Sequence, residues 1–128
     1  MGEARRPPAK TYRELIVWEK ARRAVVPIYK ATAGFPVSER YNLTAQIRGS
    51  AVSIPSNIAE GFGRRSKGQF GYFLGVARGS LFELETQLIL AQDLGFLSER
   101  EYGSLSAIVD EVEYLLERLL DSVESSGQ

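Results

Sequence analysis

The chain has 128 residues, 44% of them hydrophobic, which suits a single domain with one core and no metal or disulfide staple. It contains neither cysteine nor histidine, which excludes disulfides, thiolate nucleophiles, Cys/His zinc sites, serine–histidine triads and the commonest general base; no enzyme, metal site or cofactor is expected. Net charge is zero but unevenly spread, with 13 Lys/Arg against 5 Asp/Glu in residues 1–68 and 3 against 11 in residues 69–128. Either oppositely charged helices neutralise one another within one bundle, or the basic half meets a neighbour's acidic half or nucleic acid.

Residues 1–10 include Arg5, Arg6, Pro7 and Pro8 without an apolar run and are expected to form a disordered basic tail. The first helix is predicted from Trp18, Ala21, Val25, Ile28, Thr32 and Phe35, which share one face, with Thr11 and Glu14 as a capping box ahead of it. Pro27 lies opposite this seam, where water can satisfy the carbonyl that its missing N–H leaves free. Ser38 is the predicted N-cap of a second helix whose seam is Thr44, Ile47, Ala51, Ile54 and Ile58, with a bend ahead of Pro55 and an end at Gly61-Phe62-Gly63. Ser66 and Gln69 cap the third and longest helix, with Phe70, Leu74, Ala77, Leu81, Leu84, Leu88 and Ala91 at heptad spacing until Gly95 stops it. Ser98 and Glu101 cap the fourth, whose seam is Leu105, Ile108, Val112, Leu115 and Leu119, and residues 124–128 are expected to be a flexible tail. No segment alternates with strand periodicity and none is long and apolar enough to span a membrane. The expected fold is all-α, an antiparallel up-down-up-down four-helix bundle over residues 11–123, soluble and cytoplasmic.

Three features could carry recognition. The turn Gly61-Phe62-Gly63-Arg64-Arg65-Ser66-Lys67-Gly68 departs from both phosphate-loop fingerprints, so it reads either as a glycine C-cap followed by an N-cap or as a phosphate contact through Arg64, Arg65 and Lys67. Arg13, Lys20, Arg23 and Lys30 form a stripe on the first helix that is either a solvated face or a second phosphate-binding surface. Arg48, Asn57, Glu60 and Glu83 are expected to form a hydrogen-bonded polar layer that fixes helix register. Gly71, Gly75 and Gly79 recur every four residues, and such a stripe is expected where another backbone approaches, within the chain or from a second copy.

Leu15-x-Val17-Trp18, Phe35-Pro36, Leu43-Thr44-x-Gln46-Ile47-Arg48, Ser53-Ile54-Pro55, the Glu60–Ser66 turn, the Gly79–Leu88 run and Asp93-Leu94-Gly95-Phe96-Leu97 follow one another in an order that resembles the 23S rRNA intervening-sequence proteins. That resemblance implies a cytoplasmic four-helix bundle, and several such proteins form homopentameric rings. Related accessory proteins of diversity-generating retroelements bind nucleic acid and a reverse transcriptase through a basic ring surface. They are strongly basic, however, whereas this chain has an isoelectric point of about 6.3. The resemblance implies a non-enzymatic homo-oligomer, scaffold or adaptor, and the basic turn and stripe make Arg13, Lys20, Arg23, Arg64, Arg65 and Lys67 its expected contacts with RNA or DNA. The alternative is a structural or protein-binding module without nucleic-acid contact.

Overall fold

The computed structural model describes residues 8–126. Arg5, Arg6 and most of the expected N-terminal tail lie outside the described residues, as do Gly127 and Gln128. The described chain forms four helices, α1 (Ile16–Thr32), α2 (Leu43–Gly63), α3 (Lys67–Asp93) and α4 (Glu99–Ser126), with single 3-10 turns at Tyr12–Glu14 and Val37–Glu39. Each helix packs against two neighbours: α1 and α3 both lie between α2 and α4, and α2 against α3 is the most extensive contact. Side-chain pairs fix the antiparallel directions, since Ser53 meets Ser80 while Gly61, further along α2, meets Phe73, further back on α3. No described helix is long and apolar enough to cross a membrane.

The core follows the helical periods. All five predicted seam residues of α2 are buried, and Leu74, Ala77, Leu81, Leu84, Leu88 and Ala91 of α3 lie against them. Two seams differ from expectation. In α1 the buried set is Val17, Ala21, Ala24, Ile28 and Thr32, so Trp18 is half-buried rather than a core residue. Its ring meets the edge of Tyr12 at 5.1 Å and carries the Arg22 guanidinium at 5.6 Å. In α4 the buried set is Leu105, Val109, Val112, Leu116 and Leu120, while Ile108, Leu115 and Leu119 are only partly buried. A strict heptad advances 3.5 residues per turn and drifts off the inner face of a helix that keeps 3.6.

The helix ends sort by how completely their backbone donors are met. At α4, Glu101 N–H donates to Ser98 Oγ at 3.0 Å and Ser98 N–H donates to Glu101 Oε1 at 2.8 Å, the full reciprocal box. At α3 only Gln69 N–H to Ser66 Oγ forms, at 3.1 Å. At α1 the expected box is absent: Thr11 caps nothing with its side chain, Glu14 accepts from Lys10 N–H instead, and the helix starts four residues late because a 3-10 turn intervenes. Ser38 likewise falls inside a 3-10 turn rather than at an N-cap, and the Glu39 carboxylate takes the Leu43 N–H at 3.2 Å. Gly95, at φ +82, ends α3 as expected. After α2 the left-handed residue is Arg65, at φ 60, and no glycine fills that role. The C-terminal boundary also moves, because α4 continues to Ser126 through residues expected to be a tail.

The glycines divide by surroundings. A Cβ on Gly61 would lie 2.7 Å from Phe73 Cβ, so α2 and α3 approach there more closely than any side chain allows. At Gly75 and Gly79 a Cβ would meet nothing within 4 Å, and at Gly71 only Val123 Cγ1 at 3.8 Å. Among the described residues no backbone closely approaches the Gly71–Gly79 stripe: Gly75 and Gly79 face outward, and half-buried Gly71 meets only the Val123 side chain.

Candidate functional site

Antiparallel packing gathers the start of α1, the end of α2 and the start of α3 at one end of the bundle. That end carries four of the six predicted contact residues, Arg13, Arg64, Arg65 and Lys67, while Lys20 and Arg23 lie farther along α1. Local chemistry separates them. Arg13 lies 5.3 Å from the centroid of the Tyr12 ring. Arg64 donates through Nη2 and Nε to Glu60 Oε2, at 2.7 and 3.0 Å, and stands 5.1 Å from the Phe73 ring centroid. Lys20 Nζ is 3.4 Å from Glu111 on α4, and Arg23 Nε is 2.6 Å from Glu19, which also takes Arg22. Those two arginines hold the Glu19 carboxyl below its ordinary range by donating to it. Three of the six cations thus stand beside carboxylates in the free protein, where an incoming phosphate must compete for them. Arg65 and Lys67 are exposed in the turn and at the start of α3.

The four residues assigned to a polar layer occupy separate places. Asn57 donates to Ser53 O and Ser53 Oγ, both at 2.9 Å, and Ser53 pairs with Ser80 across the α2–α3 contact at 2.8 Å. Glu60 turns to Arg64, Glu83 is exposed on α3, and Arg48 reaches α1. Among the described residues the polar link between α2 and α3 is therefore Ser53–Asn57–Ser80, built on serine hydroxyls that carry no charge to mark them in the sequence.

Two further features join residues distant in the sequence. The carboxyl groups of Glu85 on α3 and of Asp110 and Glu113 on α4 come within 4.8 Å of one another, beside a cleft of about 260 Å³ that Tyr102 and Ser106 also line. Partial burial, then a hydrogen bond with Glu113 and the negative charges of Glu113 and Asp110, push the Glu85 carboxyl up to about 7. At the opposite end of the bundle from the cationic turn, a groove of about 700 Å³ opens between the end of α1 and the start of α2. It is lined by Tyr29, Val37, Arg40, Tyr41, Arg48 and Val52, among others. Arg48 Nε donates to Thr32 Oγ1 at 2.9 Å and its Nη2 to Tyr29 O at 3.2 Å, with the guanidinium 4.4 Å from the Tyr29 ring centroid.

Residues 13–118 match the family model of the 23S rRNA-intervening sequence protein. A crystal structure from Bacteroides thetaiotaomicron VPI-5482, described as a protein of unknown function from the S23 ribosomal protein family, superposes with a TM-score of 0.72 at 26% identity. The match covers 82% of this chain and 98% of that one. No curated protein matches.

Proposed function

Because this chain belongs to the family of 23S rRNA-intervening sequence proteins, we propose that it is a non-enzymatic helical scaffold or adaptor that assembles from identical copies and contacts RNA or DNA. Five copies is the number that the family resemblance implies. The observation that carries the assembly is the outer surface of α2 and α3. Val52, Val76, Phe82, Ile89 and Leu90 are exposed there beside Gly49, Gly75 and Gly79. The only charged residues in α2 are Arg48 and Glu60. A helix with apolar side chains on its outer as well as its inner face calls for a second surface to cover it. The glycines would let that surface come close.

Nucleic-acid contact is supported by the gathering of Arg13, Arg64, Arg65 and Lys67 at one end, beside the first turn of α3. Phosphate contacts of this kind fix position rather than read sequence. The carboxylates beside Lys20, Arg23 and Arg64 favour the second reading, a protein-binding module without nucleic acid. Light scattering in moderate salt tests the assembly: a mass several times 14.2 kDa is expected, and a monomer at every concentration overturns it. Binding to labelled RNA and DNA at low salt tests the contact, and changing Arg64, Arg65 and Lys67 together to glutamate should weaken it for all sequences alike. No binding by the parent at low salt leaves the protein-binding module.

A further inference from the structure

We infer that the groove between the end of α1 and the start of α2 takes single-stranded nucleic acid, with a phosphate at Arg48 and Arg40 and a base on the Tyr41 ring. The inference rests on the nucleic-acid part of the reading above and assigns it a surface at the other end of the bundle.

Charge is the first argument. A guanidinium has five N–H donors, and those of Arg48 engage two neutral acceptors, Thr32 Oγ1 and Tyr29 O. Thr32 spends its own proton on Ile28 O at 2.9 Å, so its oxygen is committed to accepting from Arg48. The arginine is therefore held in one orientation by groups that leave its charge uncompensated, and among the described residues neither it nor Arg40 pairs with a carboxylate. Arg23 and Arg64 differ in that respect, since each stands against a glutamate.

Shape and chemistry identify the anion. Tyr41 is 88% exposed and Val37 82%, while Tyr29 remains partly open along the same groove. A nucleotide supplies both parts that this surface lacks, an anion for the guanidinium groups and a flat ring for the tyrosine. Arg40 stands over one side of the Tyr41 ring, 5.9 Å from its centroid, and the carboxylate of an acidic protein segment would satisfy the arginines and leave the other side of the ring uncovered. A duplex presents phosphates but keeps its bases stacked on one another, so only a single strand can lay a base on the ring.

The test uses fluorescence anisotropy of the full chain with a labelled oligo-dT of about 12 nucleotides and with a duplex of the same length, each over a salt series. Tighter binding of the single strand is expected. Tyr41→Ala should weaken it about fivefold or more, and Arg40→Gln with Arg48→Gln should reduce the slope of log K against log salt by about 0.7, the value of the one phosphate that the two arginines hold. Arg48 also ties α1 to α2, so its replacement is checked by circular dichroism; Tyr41 and Arg40 are exposed, and their variants stand whatever happens to Arg48. If the parent binds but Tyr41→Ala and Arg40→Gln bind equally well, the groove is overturned while the cationic end keeps its role. If the parent binds neither probe at low salt, the wider nucleic-acid reading falls and the groove assignment with it. Binding of labelled polyglutamate that Tyr41→Ala leaves intact, with no binding of oligo-dT, overturns the inference in favour of an acidic protein segment.

Discussion

The α1–α4 side and the α2–α3 side of the bundle share one core and present opposite outer surfaces. On α1 and α4 the outer positions carry more charge, part of it paired, since Lys20 meets Glu111 and Glu19 gathers Arg22 and Arg23, with Ile16, Val26, Tyr29 and Tyr114 as exposed apolar exceptions. On α2 and α3 they are largely glycine, alanine, serine and apolar side chains, interrupted by few charges. Amphipathic helices are complete once their inner faces are packed, whereas helices apolar on both faces are not. The difference teaches that burying the core leaves the two sides unequal, and that the second side is the one on which the proposed assembly rests.

Gly61 breaks this comparison most sharply, because it is the α2 glycine that faces inward. Gly61→Ala should destabilise the fold by about 1–3 kcal/mol in a denaturant titration, since the new methyl group would stand 2.7 Å from Phe73 Cβ. Gly79 should do the reverse. With open space around its Cβ, Gly79→Ala should stabilise the isolated chain by about 1 kcal/mol through helix propensity alone. A loss of stability on dilution to monomer would mean that the outer face of α3 is packed within the chain.

The smallest effect concerns the contact between the two sides, where Glu85 of α3 meets Asp110 and Glu113 of α4. The Glu85 carboxyl is raised from an ordinary 4.5 to about 7, so between those values the folded chain holds a proton that the unfolded chain has lost. Its contribution to stability is present below about pH 4.5 and is lost as pH rises through about 7. Glu85→Gln should remove that decline, so the variant gains on the parent at pH 8 compared with pH 5 in thermal melts. Equal gains at both values would show that the three carboxyls do not share a proton.

The helices and their inner faces were legible because burial imposes a period that no other force imitates. The seam of α2 reads correctly at every position, and Ser98 and Glu101 cap α4 with the hydrogen bonds that their spacing implies. Thr11 and Ser38 have the right residue types ahead of a helix, yet each lies next to or inside a 3-10 turn that claims the local backbone first. Trp18 misleads through its size: as the only tryptophan it draws the seam toward itself, while the smaller Val17 occupies the core. The candidate site was harder to read. Cations can be counted along a chain, but whether Glu60, Glu19 or Glu111 neutralises them is settled by geometry. The groove joins Tyr29, Tyr41 and Arg48 across a helix–turn–helix boundary, and no single motif contains them.

The extensive α2–α3 contact also bears on how the chain reaches its fold. The two helices are consecutive, and only Arg64, Arg65 and Ser66 separate them, so the ends of their contact close a very short loop. Such local contacts cost little chain entropy and form early, which makes this hairpin the expected nucleus on which α1 and α4 later condense. Its backbone amides should be the last to exchange with solvent, and a nascent chain would already hold most of its slow-exchanging core before α4 is synthesised.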